Sequence, residues 1–191
     1  MMKIFLILFV LFSLLSNNSQ ANDIRDYDIK GIKIGDSILS FYSIKKIETG
    51  LQDFYSDKTF LYTEISDSKI KKFDKIGFFF KPEDKVYKIY SVALIKYCSN
   101  DIQICNDIKK EIEKNFKTNF KLLRKKTNIM KYSDGGNNGT GSVAIQSYWD
   151  FKNGSVFIET KDWATDSIYT DNVSLNIDSK ELNDWLMKIS N

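Results

Sequence analysis

Asn153-Gly154 stands between two runs of alternating apolar residues, and no other dipeptide in this 191-residue chain limits the fold as strongly. Upstream, Val143, Ile145, Trp149 and Phe151 share one parity; downstream, Val156 and Ile158 share the other arm. Alternation of this kind makes a strand with one buried face. Asn-Gly accepts the positive φ angles of a type I′ turn. The expectation is a hairpin that turns at Asn153-Gly154, with Phe151 opposite Val156 and Trp149 opposite Ile158.

The rest of the chain supplies partners for that hairpin. Ile32 and Ile34 alternate with lysine and read as a short strand. Gly35-Asp36-Ser37 reads as a turn with a helix cap, and Ser43 as a second cap before Ile44. Phe60 to Ile65 is strand-like. Phe73 to Phe80 and Val86 to Tyr97 read as two strands joined by Lys81-Pro82-Glu83-Asp84-Lys85, which has turn chemistry. The second of these is apolar at both parities toward its end, the mark of a central strand. Asn100 or Asp101 caps a long helix running to about Lys126, with Ile104, Ile108, Ile112, Phe116, Phe120 and Leu123 at helical spacing. Its lysine-rich end suits the helix dipole. Val173, Leu175 and Ile177 form another strand. Asp178 with Glu181 resembles a capping box for a last helix that presents Leu182, Trp185, Leu186 and Ile189 on one face. The fold class expected is α+β: an antiparallel sheet with a long central helix and a C-terminal helix packed on it.

Met1 to Ala21 has a charged start, an apolar run from Ile4 to Leu15 and a small-x-small end at Ser19-Gln20-Ala21, the layout of a cleaved signal peptide. The apolar run is shorter than the ~20 residues of a spanning helix. We therefore expect residues 1–21 to be a signal peptide and residues 22–191 a single domain without an integral membrane segment. The expected location is periplasmic or secreted, and the Lys-, Ile- and Asn-rich composition fits an AT-rich bacterial genome. In an oxidising compartment Cys98 and Cys105, the only two cysteines, are expected to form a disulfide. The formal charge is only +3, and Arg25 and Arg124 are the sole arginines. Nucleic acid, which selects clustered arginine and a basic bias, is not an expected partner.

The chain contains no histidine. That removes the usual hydrolase triads, most zinc sites and the commonest general base. Gly35-Asp36-Ser37-Ile38 resembles the nucleophile block of the GDSL esterase family, in which a serine attacks an ester carbonyl and a histidine activates it. Here no histidine is present, the family's Gly-x-Asn-Asp block is missing, and Ser37 is read as a helix cap. Asp150, Glu159, Asp162, Asp166 and Asp171 lie near Trp149 and Trp163 in sequence. Such acids could serve carboxylate-based glycoside hydrolysis, although acids at strand ends are commonly solvated. Asp134 to Ser142 lacks the lysine of a phosphate loop and the closing acid of a calcium loop, so it reads as a surface loop.

The Ile-x-Gly-Ile-x-Ile-Gly-Asp-Ser opening from Ile29 to Ser37, followed by a helix and paired strands, resembles exported bacterial proteins of uncharacterised role. More distantly it is similar to small periplasmic modules of outer-membrane assembly, which carry a glycine turn into a helix. The resemblance implies a non-catalytic binding or envelope-accessory protein whose partner is an envelope protein or a small ligand. The alternatives are a carboxylate-based hydrolase of envelope or environmental polymer and a small-ligand-binding protein. No catalytic residue, metal site or cofactor is expected.

Overall fold

The computed structural model describes residues 23–99, 101–119, 125–132 and 138–189. The signal-peptide reading of residues 1–21 lies outside them, as do 133–137 of the glycine-rich loop and Phe120 and Leu123 of the expected helical stripe.

The protein is α+β. Its main element is one eight-stranded antiparallel sheet. In chain order, β1 (Asp28–Ile29) and β2 (Ile32–Lys33) form a separate small hairpin. Helix α1 (Ile44–Thr49) follows, with Ser43 as its cap. Then come β3 (Leu51–Gln52), β4 (Leu61–Ile65), β5 (Lys75–Phe80) and β6 (Ser91–Tyr97). Helix α2 (Ile102–Asn119) leads to β7 (Lys126–Lys131), β8 (Val143–Phe151), β9 (Gly154–Asp162), β10 (Asn172–Ser179) and α3 (Lys180–Ile189). The strand order is β3-β4-β5-β6-β10-β9-β8-β7. Two meanders thus meet where β6 pairs with β10, in register from Tyr97↔Asn172 to Ser91↔Asp178.

Strand period sorts side chains between the two faces. One face presents Ile76, Phe78, Val92, Leu94, Val156, Ile158, Val173, Ile177 and Trp149, all buried in a single core. The N-terminal segment covers part of it with Ile24, Ile29, Ile32, Ile38 and Ile47. Helix α2 covers β9 and β10, with Ile102, Ile108 and Ile112 against the core and Cys105 fully buried. Cys105 is joined to Cys98 at the end of β6. The long helix is therefore a cover on one face, and it ends before Lys126, which opens β7. Ile104 is 48 % exposed, so the inward stripe runs through Ile102, Cys105, Ile108 and Ile112 instead. Lys109 also lies inward, where its ammonium reaches the Ile145 carbonyl at 2.6 Å. Helix α3 sits on the opposite face, sealing a cluster of Phe60, Tyr90, Leu182 and Trp185.

Three expectations change in detail. The hairpin between β8 and β9 turns at Lys152-Asn153, because Phe151 pairs with Gly154 and Trp149 with Val156. The shift from the expected register leaves every side chain on its expected face. Neither turn residue has positive φ, so the turn is not type I′. Asn153 instead ties the N-terminus down: its Oδ1 accepts from the Ile24 N–H at 2.9 Å and its amide donates to Asp23. Gly154 is needed for close approach, since a Cβ there would lie 2.2 Å from the Asp178 carbonyl oxygen. The positive-φ pair is Lys30-Gly31, the turn of the small hairpin. Strand β6 begins at Ser91 rather than Val86, because residues 86–89 bond to the Asp36–Ile38 segment through Ile38 N to Tyr87 O and Ile89 N to Asp36 O. Ser179, not Asp178, caps α3, with its Oγ accepting from Leu182 N.

Two outcomes follow. Gly154→Ala should lower stability by about 1–3 kcal/mol, an overpacking cost, read as a reduced urea midpoint. Reducing the disulfide, which closes a short loop, should cost about 2–3 kcal/mol, measured by urea unfolding with and without dithiothreitol.

Candidate functional site

The face opposite the main core is unlike a second core and unlike a plain solvent face. Along β10 it carries Asn172, Ser174, Asn176 and Asp178; along β9, Ser155, Phe157, Glu159 and Lys161; along β6, Ser91, Ala93, Ile95 and Tyr97. Several of its polar side chains are buried, including Ser91, Ser174, Glu159 and Asp178. Small residues hollow this face out. Gly77, Ala93 and Asn176 stand side by side across three strands. A Cβ on Gly77 would lie 2.2 Å from the Tyr62 hydroxyl, so the missing side chain is what lets the Tyr62 ring lie across β5.

The result is a cleft of about 590 Å³, within the ~300–1,000 Å³ range of small-ligand sites. Its floor is polar and its ends are aromatic. At one end Tyr55 and Phe79 lie with ring centres 6.1 Å apart, backed by Trp185 of the buried α3 cluster, 5.2 Å from Tyr55. At the other, Trp163 lies between Tyr132 at 5.4 Å and Tyr169 at 4.9 Å.

Three carboxyl groups line the cleft. Glu64 accepts from the Tyr97 hydroxyl at 3.2 Å and lies 4.0 Å from the Lys75 ammonium. Burial, reinforced by Glu64, pushes the Tyr97 phenol up to about 12. Glu159 is held by the Lys161 ammonium at 3.1 Å and by the Gln146 amide at 3.0 Å. Burial disfavours the charged Lys161, but Glu159, with Tyr132 and Tyr55, more than compensates, so its pKa is raised. Asp178 accepts one hydrogen bond, from Ser91 Oγ to Oδ1 at 2.6 Å. Burial pushes its pKa up to about 7; the Ser91 bond opposes that and Glu159 adds to it.

The five acids near Trp149 and Trp163 in sequence are dispersed. Only Glu159 lines the cleft. Asp162 has the opposite strand parity, on the exposed end of β9. Asp150 pairs with Lys126, Asp166 accepts from Thr140 N and Asp171 from Trp163 N. Trp149 is buried in the main core. Glu159 is held by Lys161 and Gln146, whereas Asp178 is held by Ser91 on β6. Ser37 caps a short 3-10 turn, accepting from Leu39 N, as expected of a cap. Among the described residues no cluster of His, Cys, Asp and Glu could hold a metal ion, and no helix is long and apolar enough to cross a membrane.

Sequence reasoning missed Asp178, Asn176, Ser174 and Lys161 as site residues. The available signal was the polar parity of β10: Asn172, Ser174, Asn176 and Asp178 interleave with Val173, Leu175 and Ile177 in a strand that lies between two neighbours. No family model, curated protein or solved structure matches the chain.

The pKa of Asp178 makes a signed prediction. The folded state holds the proton to about pH 7, whereas an unfolded aspartate releases it near 3.9. The group's contribution to stability is therefore greatest below about pH 4 and falls as pH rises to 7. Asp178→Asn, which lacks the titration, should gain on wild type between pH 4.5 and pH 8 by at most about 4 kcal/mol, measured by urea unfolding at both pH values. A flat difference would show that the carboxylate is accommodated ionised.

Proposed function

We propose that the protein is a non-catalytic binding protein of an exported, oxidising location, and that the cleft over β6, β10 and β9 is where it takes a small polar ligand. The observation that carries this reading is a polar floor buried at the centre of the sheet between aromatic ends. Burying polar groups costs free energy unless each is satisfied. A face serving stability alone would be apolar under a cover or polar in open water. A few convergent polar groups inside an aromatic-walled hollow is how ligand sites are built. The Cys98–Cys105 disulfide and the Met1 to Ala21 leader support an exported location. The dispersal of the five acids, and the tie of Glu159 to Lys161 and Gln146, favour binding over carboxylate hydrolysis.

The test is a ligand-observed NMR panel of small hydroxylated, amine and acidic compounds against the wild type and Ser174→Phe, which fills the floor. At least one compound class should bind wild type and bind the filled variant tenfold or more weakly, with circular dichroism confirming that the variant is folded. Should that substitution disturb folding, Asn176→Leu serves as the second variant. Binding that is equal in wild type and in a folded cleft variant would remove the site from the cleft.

A further inference from the structure

The ionisable groups of the cleft are unequally satisfied. Glu64 has Lys75 and Tyr97, and Glu159 has Lys161 and Gln146. Asp178 is 3 % exposed and, among the described residues, has no cationic partner. The groups that face it are Ser91 on β6, Glu159 on β9, Tyr148 on β8 and Tyr55 on the segment before β4. None carries a positive charge. The nearest lysine on the adjoining helix, Lys180, is paired with Asp184. Asparagine would keep the Ser91 bond with no charge to bury, so an aspartate here is an acceptor held in reserve. Its second oxygen makes no hydrogen bond among the described residues.

The surroundings of Asp178 suit a cation. Phe79 stands opposite Ser91, the partner of Asp178, and belongs with Tyr55 and Trp185 to the aromatic cluster at that end. Ring faces attract ammonium groups, more strongly where water is excluded. Trp163 Nε1, like Trp185 Nε1 at the near end, is buried without an acceptor among the described residues; flanked by two tyrosine rings, it would donate to a ligand oxygen that reaches it. Between the two ends lie Asn176, whose amide donates to Ser174 at 2.8 Å, and Gln146. An occupant that touches both ends is hydroxylated along its body and positively charged where it meets Asp178.

We propose that the ligand is an amine-bearing oligosaccharide whose protonated amine pairs with Asp178 and whose sugar rings stack along the aromatic ends. The proposal rests on the reading of the cleft as a binding site. Asp178 supplies the charge, Tyr55 and Phe79 the cation-attracting rings, and Trp163 a donor to a ring or hydroxyl oxygen.

The experiment compares a glucosamine tetrasaccharide with its fully N-acetylated counterpart by isothermal titration calorimetry at pH 7, where Asp178 ionises, using the full folded chain. Wild type should bind the amine form at least tenfold more tightly. Asp178→Asn should bring the two within about twofold of each other while its urea midpoint at pH 7 stays at or above that of wild type, an effect a purely structural role would not produce. Trp163→Phe should weaken both tetrasaccharides alike. Equal binding of the two forms to wild type overturns the proposal and leaves the cleft as a neutral-sugar site, and a preference that survives in Asp178→Asn overturns it by assigning the amine to another group. Binding of other panel compounds but of neither tetrasaccharide overturns it also. If no tetrasaccharide and no panel compound binds, the binding-protein reading falls with it.

Discussion

The ladder between β6 and β10 is the interaction on which the rest of the structure depends. It joins two four-stranded meanders that are otherwise consecutive in sequence, β3 to β6 and β7 to β10. Seven residue pairs run from Tyr97↔Asn172 to Ser91↔Asp178. Because strand side chains alternate between faces, this one register fixes two surfaces at once. On one face Val92, Leu94, Val173 and Ile177 meet in the main core. On the other, Ser91, Ala93, Ser174, Asn176 and Asp178 meet in the floor of the cleft. A slip of one residue would exchange the two sets, exposing the core and burying the polar floor beneath α2.

Closing this ladder requires contacts between residues some 75 to 87 positions apart, and the loop-closure entropy must be offset by burial. The flanking devices all act near that seam. The disulfide ties the end of β6 to the first turns of α2, and α2 then lies on β9 and β10. Cys98 N donates to the Asp171 carbonyl just before β10. At the other end Ser179 N donates to the Tyr90 carbonyl, directly before α3 turns over the sheet. Asn153 reaches both the N-terminal segment and, through its carbonyl, Lys180 N. Stability and the geometry of the cleft are thus linked, since the same anchors hold the floor strands and the helix that closes one end.

The strands around Trp149, Phe78 and Val173 were legible because apolar alternation needs no knowledge of partners. Ser37 and Ser43 were legible as caps for the same local reason: a hydroxyl satisfies nearby N–H groups whatever the tertiary fold. Reasoning from the chain failed where a residue served a distant neighbour. Asn153-Gly154 reads as a type I′ turn on local chemistry, yet Gly154 makes room for the Asp178 carbonyl and Asn153 binds Ile24. Asp178 reads as a cap, yet its side chain belongs to Ser91 across the sheet. Val86 to Tyr90 reads as strand, yet its backbone is taken by Asp36 to Ile38. Trp149 and Trp163 lie near the same acids in sequence, but one faces the core and the other the cleft, because their positions have opposite roles on β8 and beyond β9.

The sequence by itself determined the α+β class, the faces of the strands, the pairing of the only two cysteines and the want of histidine chemistry. Each depends on composition or on a short-range period. Only the tertiary structure decided that β6 and β10 are neighbours, that Gly77 and Ala93 leave a hollow beside Asn176, and that Asp178 lies buried with one hydroxyl partner. Those facts concern which strands adjoin and how small side chains line up across them. A one-dimensional pattern cannot hold them, because the free energy that selects a partner strand comes from faces brought together across more than 70 residues of chain.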